Sequence, residues 1–381
     1  MAGWKVELTV GPARSYFPEI DVLKGVAIVC VVVIHSSPAD LQTDLPSGHA
    51  PGLCAVAMLT QFAVPCFLMC SGFLYATVDR VSVFTLRERL RRLLLPYLPA
   101  AILAGWFRSE VLGIPVSWIR DLLLGHTFGI YYYVFVIFTL VLVTPIIPRL
   151  PRPLRWLVAA LLIASGSVRS LGPVLTVPEA TARTFNLGLD PSFPWFLRHP
   201  LLVWGYFFAG WELRLVAPRL LSLLSARPWL RGLGVLPWIG LSFAMVYWCL
   251  RGDAVRAVLA SWPLIYASLA ALVAVTFGRT RAEPAGSVVS DQRPDRTPLY
   301  LWLSRRTYFI YLYHLFFVLT VQRVWPLPGG RPSYFAMGVH VLAGLAGPAA
   351  LALLLERTLP DRMLAFVGLQ GPVQGRERAS P

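Results

Sequence analysis

Ile20-Asp21-Val22-Leu23-Lys24-Gly25-Val26-Ala27-Ile28-Val29-Cys30-Val31-Val32-Val33-Ile34-His35 sets a carboxylate and an ammonium group at one end of an apolar run and an imidazole near the other. The run, extended to 20–37, reads as a membrane-spanning helix. Lys24 and His35 are eleven positions apart, which at about 100° and 1.5 Å per residue puts them within roughly 20° on one face and about 16 Å apart along the axis. A long, thin ligand could touch both.

The rest of the chain repeats this apolar character. Its 381 residues are 56% hydrophobic and 14% charged, with a mean hydropathy of +0.63, which excludes a soluble domain and places it among polytopic membrane proteins. Apolar runs at 20–37, 53–77, 93–107, 122–147, 154–168, 200–216, 232–250, 258–277, 307–322 and 334–355 predict an all-α protein with about ten transmembrane helices. The run at 122–147 is interrupted from Gly125 to Ile130. With the N-terminus inside, almost three quarters of the 34 Lys and Arg residues fall in inner segments, so both termini are expected in the cytoplasm. This divides the chain into an N-terminal tail (1–19), a transmembrane domain (20–357) and a C-terminal tail (358–381). The domain carries an inner linker at about 278–306 and an outer loop at about 169–199, the one outer segment large enough to shape an acceptor site.

The same asymmetry accounts for the net charge of +15. In a soluble chain that charge would suggest nucleic acid, but no basic module interleaved with aromatics supports such a partner. Cys30, Cys54, Cys66, Cys70 and Cys249 lack metal-ligand spacing and read as small core residues, so no metal is expected. The first run follows Lys5 and Arg14 like a signal peptide, but Ser36-Ser37-Pro38-Ala39-Asp40 is a poor cleavage site, and the helix reads as retained.

Four clusters could carry chemistry. His35 is an interfacial histidine or a general base, imidazole being suited to take a hydroxyl proton near neutral pH. Lys24, Asp21 and Glu19 have an alternative reading as cytoplasmic anchors, and Asp21 and Lys24 can simply pair. Arg89 and Arg92, in the run Arg87 to Tyr97 at the cytoplasmic start of the third apolar segment, are either a positive-inside loop or an anion site helped by a helix N-terminus. Ser71-Gly72-Phe73 reads as close helix packing; no Gly-x-Ser-x-Gly elbow makes Ser71 a nucleophile. His314, in Thr307-Tyr308-Phe309-Ile310-Tyr311-Leu312-Tyr313-His314, reads by default as a buried histidine bonded to a neighbouring helix. His126, His199 and His340 have no patterned neighbours and His49 is expected in a short outer loop, so none of the four is assigned a role.

Together these segments resemble the membrane-bound acyltransferase-3 family. The resemblance rests on a basic residue, ten residues and a histidine (Lys24, His35), on Ser71-Gly72-Phe73, on Arg89 and Arg92 followed by Pro96-Tyr97, and on the Thr307-to-His314 motif. Thr307 stands where that last motif has serine, and the family's His-Leu-Trp-Phe stretch appears only as Tyr131-Tyr132-Tyr133-Val134-Phe135. The resemblance implies a stand-alone O-acyltransferase of the bacterial cytoplasmic membrane with no permanently bound cofactor. Acyl-CoA, taken as acetyl-CoA, would be the co-substrate, and a hydroxyl on a glycan, glycolipid or antibiotic-like metabolite the acceptor. It further implies His35 as catalytic base, Lys24, Arg89 and Arg92 as acyl-CoA contacts, and Asp21, Ser71, Gly72, Phe73, Tyr311 and His314 as channel-lining or structural. The competing classes are a secondary transporter or exporter of a small molecule or glycan intermediate, and a non-catalytic membrane scaffold. A transporter would be expected to show paired half-chains with helices broken in corresponding places.

Overall fold

The computed structural model describes residues 17–37, 51–76, 82–170, 200–279, 298–325 and 333–369. Every regular element among them is helical: α1 (Pro18–Ser36), α2 (Pro51–Leu59), α3 (Ala63–Tyr75), α4 (Val83–Trp106), α5 (Trp118–Leu124), α6 (Tyr132–Val143), α7 (Arg152–Ser170), α8 (Pro200–Ala226), α9 (Trp229–Leu250), α10 (Ala254–Arg279), α11 (Leu299–Val324), α12 (Tyr334–Thr358) and α13 (Asp361–Val367), with single-turn helical pieces at Phe107–Val111, Gly129–Tyr131 and Ile147–Arg149. Among the described residues, each of the ten apolar runs lies mainly on helix, with breaks at 60–62 and 125–128. By length and composition, four segments can cross a membrane: Ala55–Tyr75, Trp229–Leu250, Leu259–Phe277 and Tyr334–Thr358. The pair Trp118–Leu124 and Gly129–Val143, bent by 47°, makes a fifth if it is one span. Only 11% of the Trp229–Leu250 window and 22% of the Tyr334–Thr358 window are buried. Apolar helices left so bare have lipid as their fitting solvent.

Local chemistry sets the helix ends. Pro18 opens α1, where a missing N–H costs nothing, and Glu19 and Asp21 lie in its first turn, facing the positive end of the helix dipole. Ser82 caps α4 by accepting from the Thr85 N–H (3.1 Å), and Ser333 caps α12 through the Ala336 N–H (3.1 Å). Gly125 ends α5 at φ 71°, and a Cβ there would stand 2.4 Å from the Tyr131 carbonyl oxygen, so the break needs glycine.

Contacts along the helices fix their directions. The pairs Gly25/Tyr300, Asp21/Ser304 and His35/His314 keep a nearly constant difference in residue number, so α1 and α11 run parallel. Phe17/Phe73 and Leu23/Cys66 keep a nearly constant sum, so α3 runs antiparallel to α1. Arg306 holds Glu356 through two hydrogen bonds (2.9 and 2.7 Å), and with Phe317/Gly347 this makes α12 antiparallel to α11.

The α3–α8 crossing is tight. A Cβ on Gly72 would lie 1.9 Å from the Phe207 carbonyl oxygen, and one on Gly210 would lie 1.9 Å from that of Met69. Small residues such as Gly72 and Gly210 let two backbones approach this closely. Gly72→Ala is expected to cost about 1–3 kcal/mol as the crossing is forced apart, read as a lower thermal midpoint in detergent; an unchanged midpoint would contradict the close approach.

Helix extends into two segments expected to lie outside the spans. Within the inner linker expected at about 278–306, α11 begins at Leu299 and carries Arg305 and Arg306. The C-terminal tail contains α13, whose Leu364 is buried. The outer loop 169–199 falls mostly outside the described residues, as do His49 and His199.

Candidate functional site

One end of the bundle collects charge. Asp21 accepts a hydrogen bond from the Ser304 hydroxyl (2.5 Å) and lies 3.6 Å from the Lys24 ammonium. The pairing of Asp21 with Lys24 is therefore real, and a third group, Ser304 of α11, joins it. Beside them, the Arg214 guanidinium sits 3.9 Å from the Phe17 ring centroid and 5.1 Å from that of Phe73. Phe73 is fully buried and meets Phe17 and Phe277 edge-on.

Arg89 reaches the same end from α4. Its guanidinium lies 4.3 Å over the Tyr75 ring and donates to the Tyr75 carbonyl (3.5 Å) and the Thr144 hydroxyl (3.4 Å). Arg89 is half-buried, whereas Arg92, one turn on, is exposed. The expected help from a helix N-terminus is not there: α4 starts at Val83, so both arginines sit beyond its first turn, where the dipole's effect has faded.

His35 is half-buried near the far end of α1. Its ring centroid is 5.6 Å from that of His314, with the planes at 41°. His314 is fully buried. Its Nδ1 stands 3.0 Å from the Ile310 carbonyl and 2.9 Å from that of Tyr311, both on its own helix. A carbonyl only accepts, so Nδ1 carries the proton and Nε2 is the bare, accepting nitrogen. No described group bonds to that Nε2. The expected bond to a neighbouring helix is thus replaced by bonds within α11, which leave the ring's other edge facing α1. Gly344 of α12 closes over the site, since a Cβ there would lie 2.6 Å from Val32 and 3.9 Å from the His314 Cβ.

The broken span braces this stretch of α11. Tyr131 donates to the Leu312 carbonyl (2.6 Å), Tyr311 donates to the Ile130 carbonyl, and Phe128 packs on Phe316 at 4.8 Å. Tyr133 meets the Tyr311 ring at 5.4 Å. Tyr311 is therefore packed against the broken span. Thr307 turns its hydroxyl back to the Leu303 carbonyl (3.0 Å).

The line from Lys24 to His35 is not an open groove. Ile28 and Val31, on the same face, are 0% and 2% exposed, so an extended ligand has to pass beside this line rather than along it.

Sequence reasoning overlooked Glu212, a carboxylate 1% exposed on α8 that pairs with Arg155 (2.6 Å) and Arg152 (3.3 Å) of α7. The available signal was a single acidic residue inside the apolar run 200–216. It also overlooked Ser304, which shares a helix face with Thr307, Tyr311 and His314 through spacings of three and four.

A family model described as an acyltransferase domain matches residues 17–357 of the chain. No curated protein and no solved structure matches it.

Proposed function

Because the chain belongs to the acyltransferase-3 family, we propose that it moves an acetyl group from acetyl-CoA to a hydroxyl of a glycan, glycolipid or antibiotic-like acceptor across the bacterial cytoplasmic membrane. The observation that carries this reading is the placement of His35, deep along α1 from the charged end and beside a second imidazole. In this reading the chain crosses the membrane ten times with both termini inside. The parallel course of α1 and α11 supports that order, since the first and ninth crossings of such a chain run the same way.

The CoA phosphates bind at the inner end to Arg89, Arg92 and Lys24, because guanidinium forks and ammonium groups suit phosphate oxygens. The pantetheine arm passes beside α1, bringing the thioester to His35. There the imidazole takes the proton of a hydroxyl that arrives from the outer side, and holding both substrates at one point supplies the rest of the rate. CoA leaves to the inside and the ester to the outside.

The test is direct. Purified protein incubated with labelled acetyl-CoA should release free CoA; no release with any hydroxyl acceptor would reject the reading. The double variant Arg89→Ala/Arg92→Ala is expected to raise KM for acetyl-CoA about tenfold or more through lost charge-assisted bonds, with kcat little changed. An unchanged KM would remove the phosphate role.

A transporter remains the second reading, and the bend at Gly125 favours it, since broken spans often mark a transport site. A transporter would move its cargo without releasing CoA.

A further inference from the structure

The fully buried His314 holds a bare nitrogen that its structural hydrogen bonds do not use. A buried acceptor left unmatched costs about 1–3 kcal/mol, and one beside another imidazole calls for an explanation in chemistry.

Ring geometry supplies one. Each imidazole nitrogen lies about 1.1 Å from its ring centroid, so nitrogens turned toward each other across the 5.6 Å separation stand about 3.4 Å apart, and a shift of about half an ångström makes an N–H···N bond. His314 cannot be the donor in that bond, because its proton is held at Nδ1 by the two carbonyls. The donor must be His35.

We propose that His314 is the positioning residue of the site: its Nε2 accepts the N–H of His35, so that His35 presents its other nitrogen, unprotonated, to the acceptor hydroxyl. The inference rests on the reading of His35 as the base. When the hydroxyl oxygen attacks the thioester carbonyl, its O–H bond breaks and the proton goes to the unprotonated nitrogen of His35. The proton on the far nitrogen of His35 shifts toward Nε2 of His314. As the tetrahedral adduct collapses, the C–S bond breaks, the CoA thiolate takes the proton from His35, and the second proton returns. Both rings end as they began. In hydrolytic triads a carboxylate does this orienting work; an imidazole does it without placing a permanent charge in an apolar interior.

His314→Asn separates this role from packing. The asparagine amide can still donate to the Ile310 and Tyr311 carbonyls but offers no bare ring nitrogen. With acetyl-CoA as donor and glycerol as hydroxyl acceptor, the variant is expected to lose about a hundredfold in kcat with KM for acetyl-CoA and thermal midpoint unchanged. Wild-type kcat in His314→Asn, beside an inactive His35→Ala, would overturn the relay and leave the base assignment standing. Full activity in both variants, or no CoA release by the wild type, would overturn the two readings together. Should His314→Asn not fold, the wild-type protein answers instead: kcat in mixtures of H2O and D2O should follow a bowed curve, since two protons move together, and a linear or flat dependence would overturn the relay.

Discussion

His35→Ala is expected to lower CoA release from acetyl-CoA by about 10²- to 10⁴-fold, the range a general base contributes, while the protein still inserts and elutes as a single species. The residue is half-buried near the end of α1, and the segment before it is anchored independently by Asp21, Ser304 and the packing of Ile28 and Val32. Truncation at position 35 thus leaves those supports in place. It removes the α1 imidazole that lies against the His314 ring. Donor binding, which the proposed function assigns to the opposite end of the bundle, should persist in an equilibrium measurement with acetyl-CoA. Activity within tenfold of wild type would mean the imidazole does not take the proton.

Glu212→Ala should give the largest loss of stability, about 3–5 kcal/mol. Glu212 is 1% exposed and is held by Arg155, whose side chain is 11% exposed, and by Arg152. Without the carboxylate, Arg155 remains in a desolvated position with its Leu150 carbonyl contact alone in place of a counter-ion. Thermal unfolding in detergent measures this, and Glu212→Gln, which keeps the shape and loses the charge, should fall between the two. A loss under about 1 kcal/mol for Glu212→Ala would place the ion pair in the weak class of solvated surface bridges.

Much of the helical layout was readable because apolar runs of this length have one stable form where water is absent: each backbone group must be bonded within its own segment. The interruption from Gly125 to Ile130 was likewise visible, since glycine permits the positive φ that the turn adopts. Residues that meet across the fold were harder. Asp21 and Ser304 are 283 positions apart, and nothing local to either announces the other. His314 could be recognised as a polar group at depth, but its partner depends on how α1 lies against α11. The start of α4 was misjudged because Arg87 to Arg92 lowers the mean hydropathy of its first turns, although the Ser82 cap marks the boundary plainly.

The braces on the broken span set an order for assembly. Tyr131 finds its acceptor on Leu312, 181 positions later in the chain, and the carbonyl of Ile130 waits for Tyr311 over the same distance. At about 5–20 residues per second, a ribosome needs some ten seconds or more to make that intervening length. During that interval the kinked segment has exposed peptide groups that hydrocarbon cannot satisfy, so it is expected to stay near the watery interface or under the shelter of the insertion machinery. Completion of the bundle is therefore a late, C-terminal event, and chains cut short before Leu312 should be handed to quality control.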